Sequence, residues 1–289
     1  MIRLLESLRL LLLVPLMIFL ASDTFAVGFP RPASAAQWHE LDLIPKATFD
    51  FTGIVSLSNC SGSLVRYDDS EDDDYGMVLT NGHCVRMMAP GDVDFDRSAS
   101  TSFEVLNEGG DVLGTLRASR LIYATMTDTD MALFRLRLTF ADIYDRYGVE
   151  ALTLSRMKSE IGDDIEIISG YWKRGYVCEV EKFIYLLKED DWEFADSIRY
   201  SRPGCEVIGG TSGSPILLKG TRTVIGVNNT GNQSGRRCTM NNPCEIDQDG
   251  SIIYERGYNY GQQISWLYDC RNEERKLDLT VQNCSLPKP

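Results

Sequence analysis

Thr80-Asn81-Gly82-His83-Cys84-Val85 closes the apolar run Gly76-Met77-Val78-Leu79-Thr80, and its reading decides the fold. The run has the length and composition of a strand, so the histidine stands just beyond a strand end, next to a cysteine. The chain has only two histidines, His39 and His83. Histidine is the side chain whose ordinary pKa lies near neutrality, which makes these two the natural proton carriers. His39, between Trp38 and Glu40, has nothing nearby to orient it. His83 is therefore the candidate general base.

Working outward, Cys60-Ser61-Gly62-Ser63-Leu64-Val65 is the segment with the preceding cysteine, and Thr127-Asp128-Thr129-Asp130 leads into Met131-Ala132-Leu133. Along Ala132 to Leu138, Ala132, Phe134, Leu136 and Leu138 share one face of a strand while Arg135 and Arg137 point the other way. Farther on, Gly209-Gly210-Thr211-Ser212-Gly213-Ser214-Pro215 precedes the apolar Ile216-Leu217-Leu218. Glycines there let the backbone turn tightly enough for its amides to converge on one point, as acyl transfer requires.

Taken together, these segments resemble chymotrypsin-like serine peptidases. That family has a Cys-Xaa-Gly-Ser-Leu strand followed by a strand ending in Thr-Ala-Ala-His-Cys. Cys60, Gly62, Ser63, Leu64, Thr80, His83 and Cys84 keep those places, with Asn81 and Gly82 for the alanines. The family's Asp-Ile-Ala-Leu pattern resembles Asp130-Met131-Ala132-Leu133, which favours Asp130 over Asp128 as the acid that orients the histidine. The resemblance implies Ser212 as nucleophile and the amides of Gly210 and Ser212 as the oxyanion hole. It implies a Cys60–Cys84 bridge across the histidine loop. It also implies that Val224 to Gly231, with Asn228, Asn229, Thr230 and Gly231, lines the specificity pocket and pairs with substrate backbone. The Gly-Xaa-Ser-Gly-Ser-Pro motif is similar to that of bacterial glutamyl endopeptidases, although Asn228 stands where those enzymes carry a histidine.

The expected fold is all-β: two antiparallel six-stranded β-barrels with a C-terminal helix. Strand candidates are Phe51 to Leu57, Gly62 to Tyr67, Gly76 to Thr80, Phe103 to Leu106, Val112 to Leu116 and Ala132 to Leu138. After a mixed, turn-like stretch from Thr139 to Ser155 come Ile165 to Ile168, Cys178 to Tyr185, Pro215 to Leu218, Thr223 to Val227 and Gly257 to Tyr260. Ile264, Leu267 and Tyr268 recur at helical spacing. The first barrel, 50–145, would hold His83 and Asp130; the second, 146–289, Ser212 and the helix.

Arg3 and Arg9 precede an apolar run, Leu10 to Leu20, with Thr24-Phe25-Ala26 as a cleavage site. That run is too short to span a bilayer and reads as a signal peptide over 1–26, followed by a leader over 27–49. The expected location is extracellular or periplasmic, without membrane attachment after signal removal. The eight cysteines, Cys60, Cys84, Cys178, Cys205, Cys238, Cys244, Cys270 and Cys284, read as a disulfide framework in an oxidising compartment. Their number does not fix the pairing. Cys178–Cys205 is expected, and proximity in sequence suggests Cys238–Cys244 and Cys270–Cys284.

A formal net charge of −13 argues against a nucleic-acid partner. The acidic run Asp68 to Asp74 offers hard oxygen ligands of the kind calcium takes, but a run of like charges reads first as a solvated hairpin tip. No His-Glu-Xaa-Xaa-His face exists, so no metal or cofactor is expected. An α/β-hydrolase needs Gly-Xaa-Ser-Xaa-Gly with its histidine after the serine, but Ser214 takes the last glycine's place and no histidine follows Ser212; a subtilisin-like enzyme needs an aspartate before its histidine and a helix after its serine, which Pro215 and the strand-like run behind it oppose. The expected partners are protein or peptide substrates and a possible protein inhibitor, for a monomeric enzyme. Glu206, six residues before Ser212, is either a pocket-floor carboxylate that selects Lys or Arg or a residue that faces solvent. Thr211 stands where many family members carry an aspartate that pairs with a newly freed N-terminus. Extending the mature N-terminus by a few residues should leave turnover unchanged; activity gained only after one defined cleavage near residue 50 would contradict this.

Overall fold

Alternation along one strand sorts its side chains between two cores. In the computed structural model, which describes residues 49–289, β7 (Met131–Thr139) directs Ala132, Phe134 and Leu136 into a cluster with Leu64, Val78, Phe103 and Leu116. Met131 and Leu133 join a different cluster that includes Tyr123, Leu267 and Leu279. The expected signal peptide, His39 and the leader up to residue 48 lie outside the described residues.

The first barrel contains β1 (Ile54–Ser56), β2 (Ser61–Arg66), β3 (Tyr75–Thr80), β5 (Ser102–Leu106), β6 (Val112–Thr125) and β7. Antiparallel pairing runs β1-β5-β6-β7-β3-β2 and closes through β1 with β2. Closure leaves no open edge within the ring. A further strand, β4 (Val93–Ser98), pairs with β6 from outside and was not expected from sequence.

The stretch from Thr139 to Ser155 is not simply a turn-like connection. It holds α1 (Phe140–Tyr147) and β8 (Leu152–Leu154). Thr139 caps α1 in a reciprocal box with Asp142, Gly148 ends it at φ 66°, and Phe140 and Ile143 are buried beneath it. Strand β8 pairs in parallel with both β2 and β13 (Thr223–Gly231), so it joins the two barrels into one continuous sheet.

The second barrel contains β9 (Asp164–Ser169), β10 (Arg174–Glu189), β11 (Trp192–Tyr200), β12 (Pro215–Leu218), β13 and β16 (Asn259–Gln263). Its pairing runs β13-β12-β9-β10-β11-β16 and closes through β13 with β16. The architecture is thus a chymotrypsin-like double barrel. Short β14 (Cys244–Ile246) and β15 (Ile252–Ile253) add to β10. Strand β10 is far longer than the run read from sequence, and β11 was missed. Their hairpin turns at Asp190-Asp191 and reaches the first barrel, where Asp128 exchanges backbone hydrogen bonds with Glu193 and Ala195. Trp192 Nε1 donates there to the Met88 carbonyl at 2.8 Å.

The expected C-terminal helix is a single turn, α2 (Trp266–Asp269). Beyond it, turns are tied by Cys270–Cys284; the other disulfides are Cys60–Cys84, Cys178–Cys205 and Cys238–Cys244. Among the described residues no helix is long and apolar enough to cross a membrane.

The acidic run is largely exposed, and this C-terminal segment supplies it with partners. Asp68 to Asp74 does form the β2–β3 loop, but its carboxylates meet arginines distant in sequence. Asp68 pairs with Arg156 at 2.7 Å, and Asp69 receives both terminal nitrogens of Arg271 at 3.0 and 3.2 Å. Arg271, only 8 % exposed, also lies 3.9 Å above the Tyr67 ring. A two-pronged ion pair and a stacked cation act together on a buried guanidinium, while Asp69 itself stays 41 % exposed. Arg271→Ala is expected to cost about 2 kcal/mol in urea unfolding. Arg271→Lys should recover little of it, because lysine cannot bridge both carboxylate oxygens.

Candidate active site

The register of β3 against β7 sets Thr80 opposite Ala132, which brings residues 81–83 over Asp130. His83 Nδ1 lies 2.6 Å from Asp130 Oδ2, and the His83 backbone N–H donates to Oδ1 at 3.1 Å. Asn81 Nδ2 donates to the Asp130 carbonyl at 2.7 Å. Asp130 is 1 % exposed and His83 is 23 % exposed, so the acid is sealed while the imidazole still faces the cleft. Gly82 has a steric reason: a Cβ there would collide with the Thr125 carbonyl. Asp128, the alternative acid, is exposed at φ 57° and uses its backbone to hold the β10–β11 hairpin.

Burial alone would lower the His83 pKa, but it is outweighed by the Asp130 charge, by the hydrogen bond to Asp130 and by the charge of Glu189, so it stands above its ordinary 6.5. Cys60, His83 and Cys84 are close enough to suggest a metal cluster. The two sulfurs are bonded to each other and offer no thiolate.

Ser212 lies on a turn pinned by both barrels. Ser61 at the start of β2 donates its N–H to the Ser212 carbonyl at 2.8 Å, while Gly213 N–H donates to the Asn228 carbonyl at 2.9 Å. The Ser212 hydroxyl itself donates to the Asn229 carbonyl at 3.3 Å. Gly210 adopts φ 90°, a conformation that favours glycine. No acceptor pairs with the amides of Gly210 or Ser212 among the described residues. Thr211 is fully buried, and its hydroxyl finds no partner among them.

One cavity is lined by His83, Asp130 and Ser212 together with Asn228, Asn229, Thr230 and Gly231 of β13. Glu206 does not line it. Cys205 is buried by its bridge to Cys178 on β10, and the next side chain faces solvent, where its carboxylate accepts the Gly204 N–H at 3.2 Å. The pocket-floor role expected of Glu206 is thereby withdrawn. The additional carboxylate lining the cavity is Glu189, at the end of β10. Lys188-Glu189-Asp190-Asp191 is a charged stretch at a hairpin end, yet Glu189 is only 7 % exposed and accepts the Asn241 N–H at 2.7 Å.

The sequence model of one family, described as the trypsin-like peptidase domain, matches residues 60–227. The chain belongs to this family. The trypsin-like match spans His83, Asp130 and Ser212 together. No curated protein is matched. Solved structures similar to the chain include the MamO protease domain from Magnetospirillum magneticum, at 12 % identity and TM-score 0.44, with 75 % of this chain and 94 % of that one covered. Nocardiopsis protease has 15 % identity and TM-score 0.43, covering 75 % and 92 %. Cellulomonas bogoriensis chymotrypsin has 15 % identity and TM-score 0.39, covering 75 % and 91 %.

Burial is the main reason the Glu189 pKa is raised above its ordinary 4.5; hydrogen bonds from Thr230 and the Asn241 N–H and the His83 charge pull it down, and the Asp130 charge pushes it up. A carboxyl with a raised folded pKa withdraws stability as pH climbs through and above its ordinary value, because folding then disfavours the charged form. Glu189→Gln keeps an acceptor for both donors and removes the charge. It should melt higher than the parent near neutral pH, with the gap closing as pH falls below 4.5; a lower melting temperature at neutral pH would refute this.

Proposed function

We propose that the protein is an exported serine endopeptidase acting through an acyl-enzyme on Ser212. The observation that carries this reading is the Asp130–His83 pair, 2.6 Å apart, opening into the same cavity as Ser212. Asp130 fixes Nδ1 as the protonated nitrogen and leaves Nε2 to accept a proton. The Ser212 hydroxyl turns from the Asn229 carbonyl toward Nε2. Its oxygen then bonds to the peptide carbonyl carbon while His83 takes the proton.

The carbonyl oxygen gains negative charge and is met by the amides of Gly210 and Ser212, which have no competing acceptor among the described residues. Collapse breaks the C–N bond, and His83 returns the proton to the leaving amine. Water repeats the sequence on the ester and frees Ser212. Strand β13 supplies Asn228, Asn229, Thr230 and Gly231 as the wall along which substrate lies. The four disulfides favour an oxidising compartment and support export. A catalytically silent binding protein on this scaffold is the rival. Loss of a triad group or of the glycines beside the serine is its expected mark, and the chain keeps His83, Asp130, Ser212, Gly210 and Gly213.

Labelling with a fluorophosphonate probe separates the two, since only an activated Ser212 is modified. Ser212→Ala and His83→Ala should each lower turnover of a peptide substrate by roughly 10³-fold or more with the fold intact, because nucleophile and base act as a unit. Near-parental activity in either purified variant would overturn the assignment. The acid limb of kcat/KM should titrate above the ordinary histidine value, since His83 must be neutral to act.

A further inference from the structure

The two amides of the proposed oxyanion hole belong to the peptide groups Gly209–Gly210 and Thr211–Ser212. In a trans peptide the N–H and C=O lie in one plane and point in opposite directions. Whatever holds the carbonyl therefore aims the amide. The Thr211 carbonyl is held by backbone, accepting the Ser214 N–H at 3.1 Å. The Gly209 carbonyl is held by a side chain: Trp172 Nε1–H donates to it at 2.7 Å.

The Gly209–Gly210 peptide has little else to fix it. A Cβ added at Gly209 would touch nothing within 4 Å, and Gly210 sits at φ 90°. Two joined glycines leave a peptide plane free to turn over, presenting its carbonyl where the amide should be. The indole is itself anchored. The backbone N–H of Trp172 donates to Ser169 Oγ at 3.2 Å, which holds the main chain that carries the ring, and Ser169 Oγ lies 3.0 Å from Ser61 Oγ. The Ser61 hydroxyl reaches the Gly210 carbonyl at 3.2 Å and so holds the next peptide. Tyr171 packs edge-on to the indole, with ring centres 4.9 Å apart. A Cβ at Gly210 would lie 2.8 Å from both Trp172 Nε1 and Tyr171 Cδ1, so the aromatic pair is seated directly on the turn.

We infer that Trp172 is a positioning residue for the reaction: its indole N–H locks the Gly209–Gly210 peptide so that the Gly210 amide faces the developing oxyanion. The inference rests on the reading of Gly210 and Ser212 as the oxyanion hole. Trp172 is 47 % exposed, so its hydrogen bond, more than its burial, gives it a role. An amide whose carbonyl accepts a hydrogen bond is also a more polarised donor, which adds to the effect.

The test is Trp172→Phe, which keeps a ring and removes the N–H. Losing an oxyanion donor outright costs about 10²–10³ in kcat, so a misaimed donor should lower kcat by about tenfold or more, with KM little changed. A peptide aldehyde, whose adduct places an oxyanion in the hole, should bind weaker by a similar factor. The matching peptide alcohol, which forms no adduct, should bind as to the parent. Parental kcat, or equal weakening of aldehyde and alcohol, would overturn the inference. If Trp172→Phe fails to fold, incorporation of 3-benzothienylalanine at 172 replaces only the N–H by sulfur, and the same two outcomes decide. A parent enzyme that ignores fluorophosphonate and turns over no peptide would instead overturn the peptidase reading itself.

Discussion

A carboxylate with 1 % of its surface in water must be met by donors, and Asp130 is met at both oxygens by one residue. His83 gives its ring to Oδ2 and its backbone N–H to Oδ1. An isolated buried charge would cost several kcal/mol, so this double contact is a condition of folding as much as of chemistry. It constrains the surroundings in turn. Asn81 must hold the Asp130 carbonyl, Gly82 must lack a side chain beside the Thr125 carbonyl, and Cys84 must reach Cys60.

The second requirement is that two closed barrels present their groups to one cleft. Three connections do this across the seam. Strand β8 pairs with β2 on one side and β13 on the other. Ser61 ties the start of β2 to the Ser212 turn by a backbone bond at 2.8 Å. The long β10–β11 hairpin leans across to Asp128 and Met88, close to where the acid sits. Because most of these contacts are backbone hydrogen bonds, relative sliding of the barrels would leave polar groups unpaired. These contacts set the cleft in which the Asp130 and Glu189 charges raise the His83 pKa.

The hairpin also explains why the cleft is more acidic than its nearby sequence suggests. Glu189 adds a second carboxylate to the wall that carries Asp130. Its burial is relieved by donors from Asn241 and Thr230, which belong to β13 and the loop after it. Glu206, closer to Ser212 in sequence, is turned to solvent by the Cys178–Cys205 bridge. Distance along the chain is a poor guide here because closure of a barrel brings together strand ends that are far apart in sequence.

What the sequence determined by itself was local. Short strings such as Asn81-Gly82-His83-Cys84 and Gly210-Thr211-Ser212-Gly213 carry their own steric and hydrogen-bonding demands, and the alternation from Ala132 to Leu138 gives a strand its inner face. Helix α1 was also written there, in Thr139, Asp142 and Gly148, though the mixed composition around it obscured the signal. The length of β10 and the existence of β11 were hidden, because strands with charged residues on one face become stable only when a partner and a second barrel cover the other. Only the tertiary structure decided the roles of Glu189, Arg271 and Trp172. Each looks like an ordinary surface residue in its own stretch of chain. Each acquires its part from a partner 37 or more residues away, at Asn241 for the buried carboxylate, Asp69 for the ion pair and Gly209 for the indole N–H, and no local pattern encodes a contact that barrel closure creates.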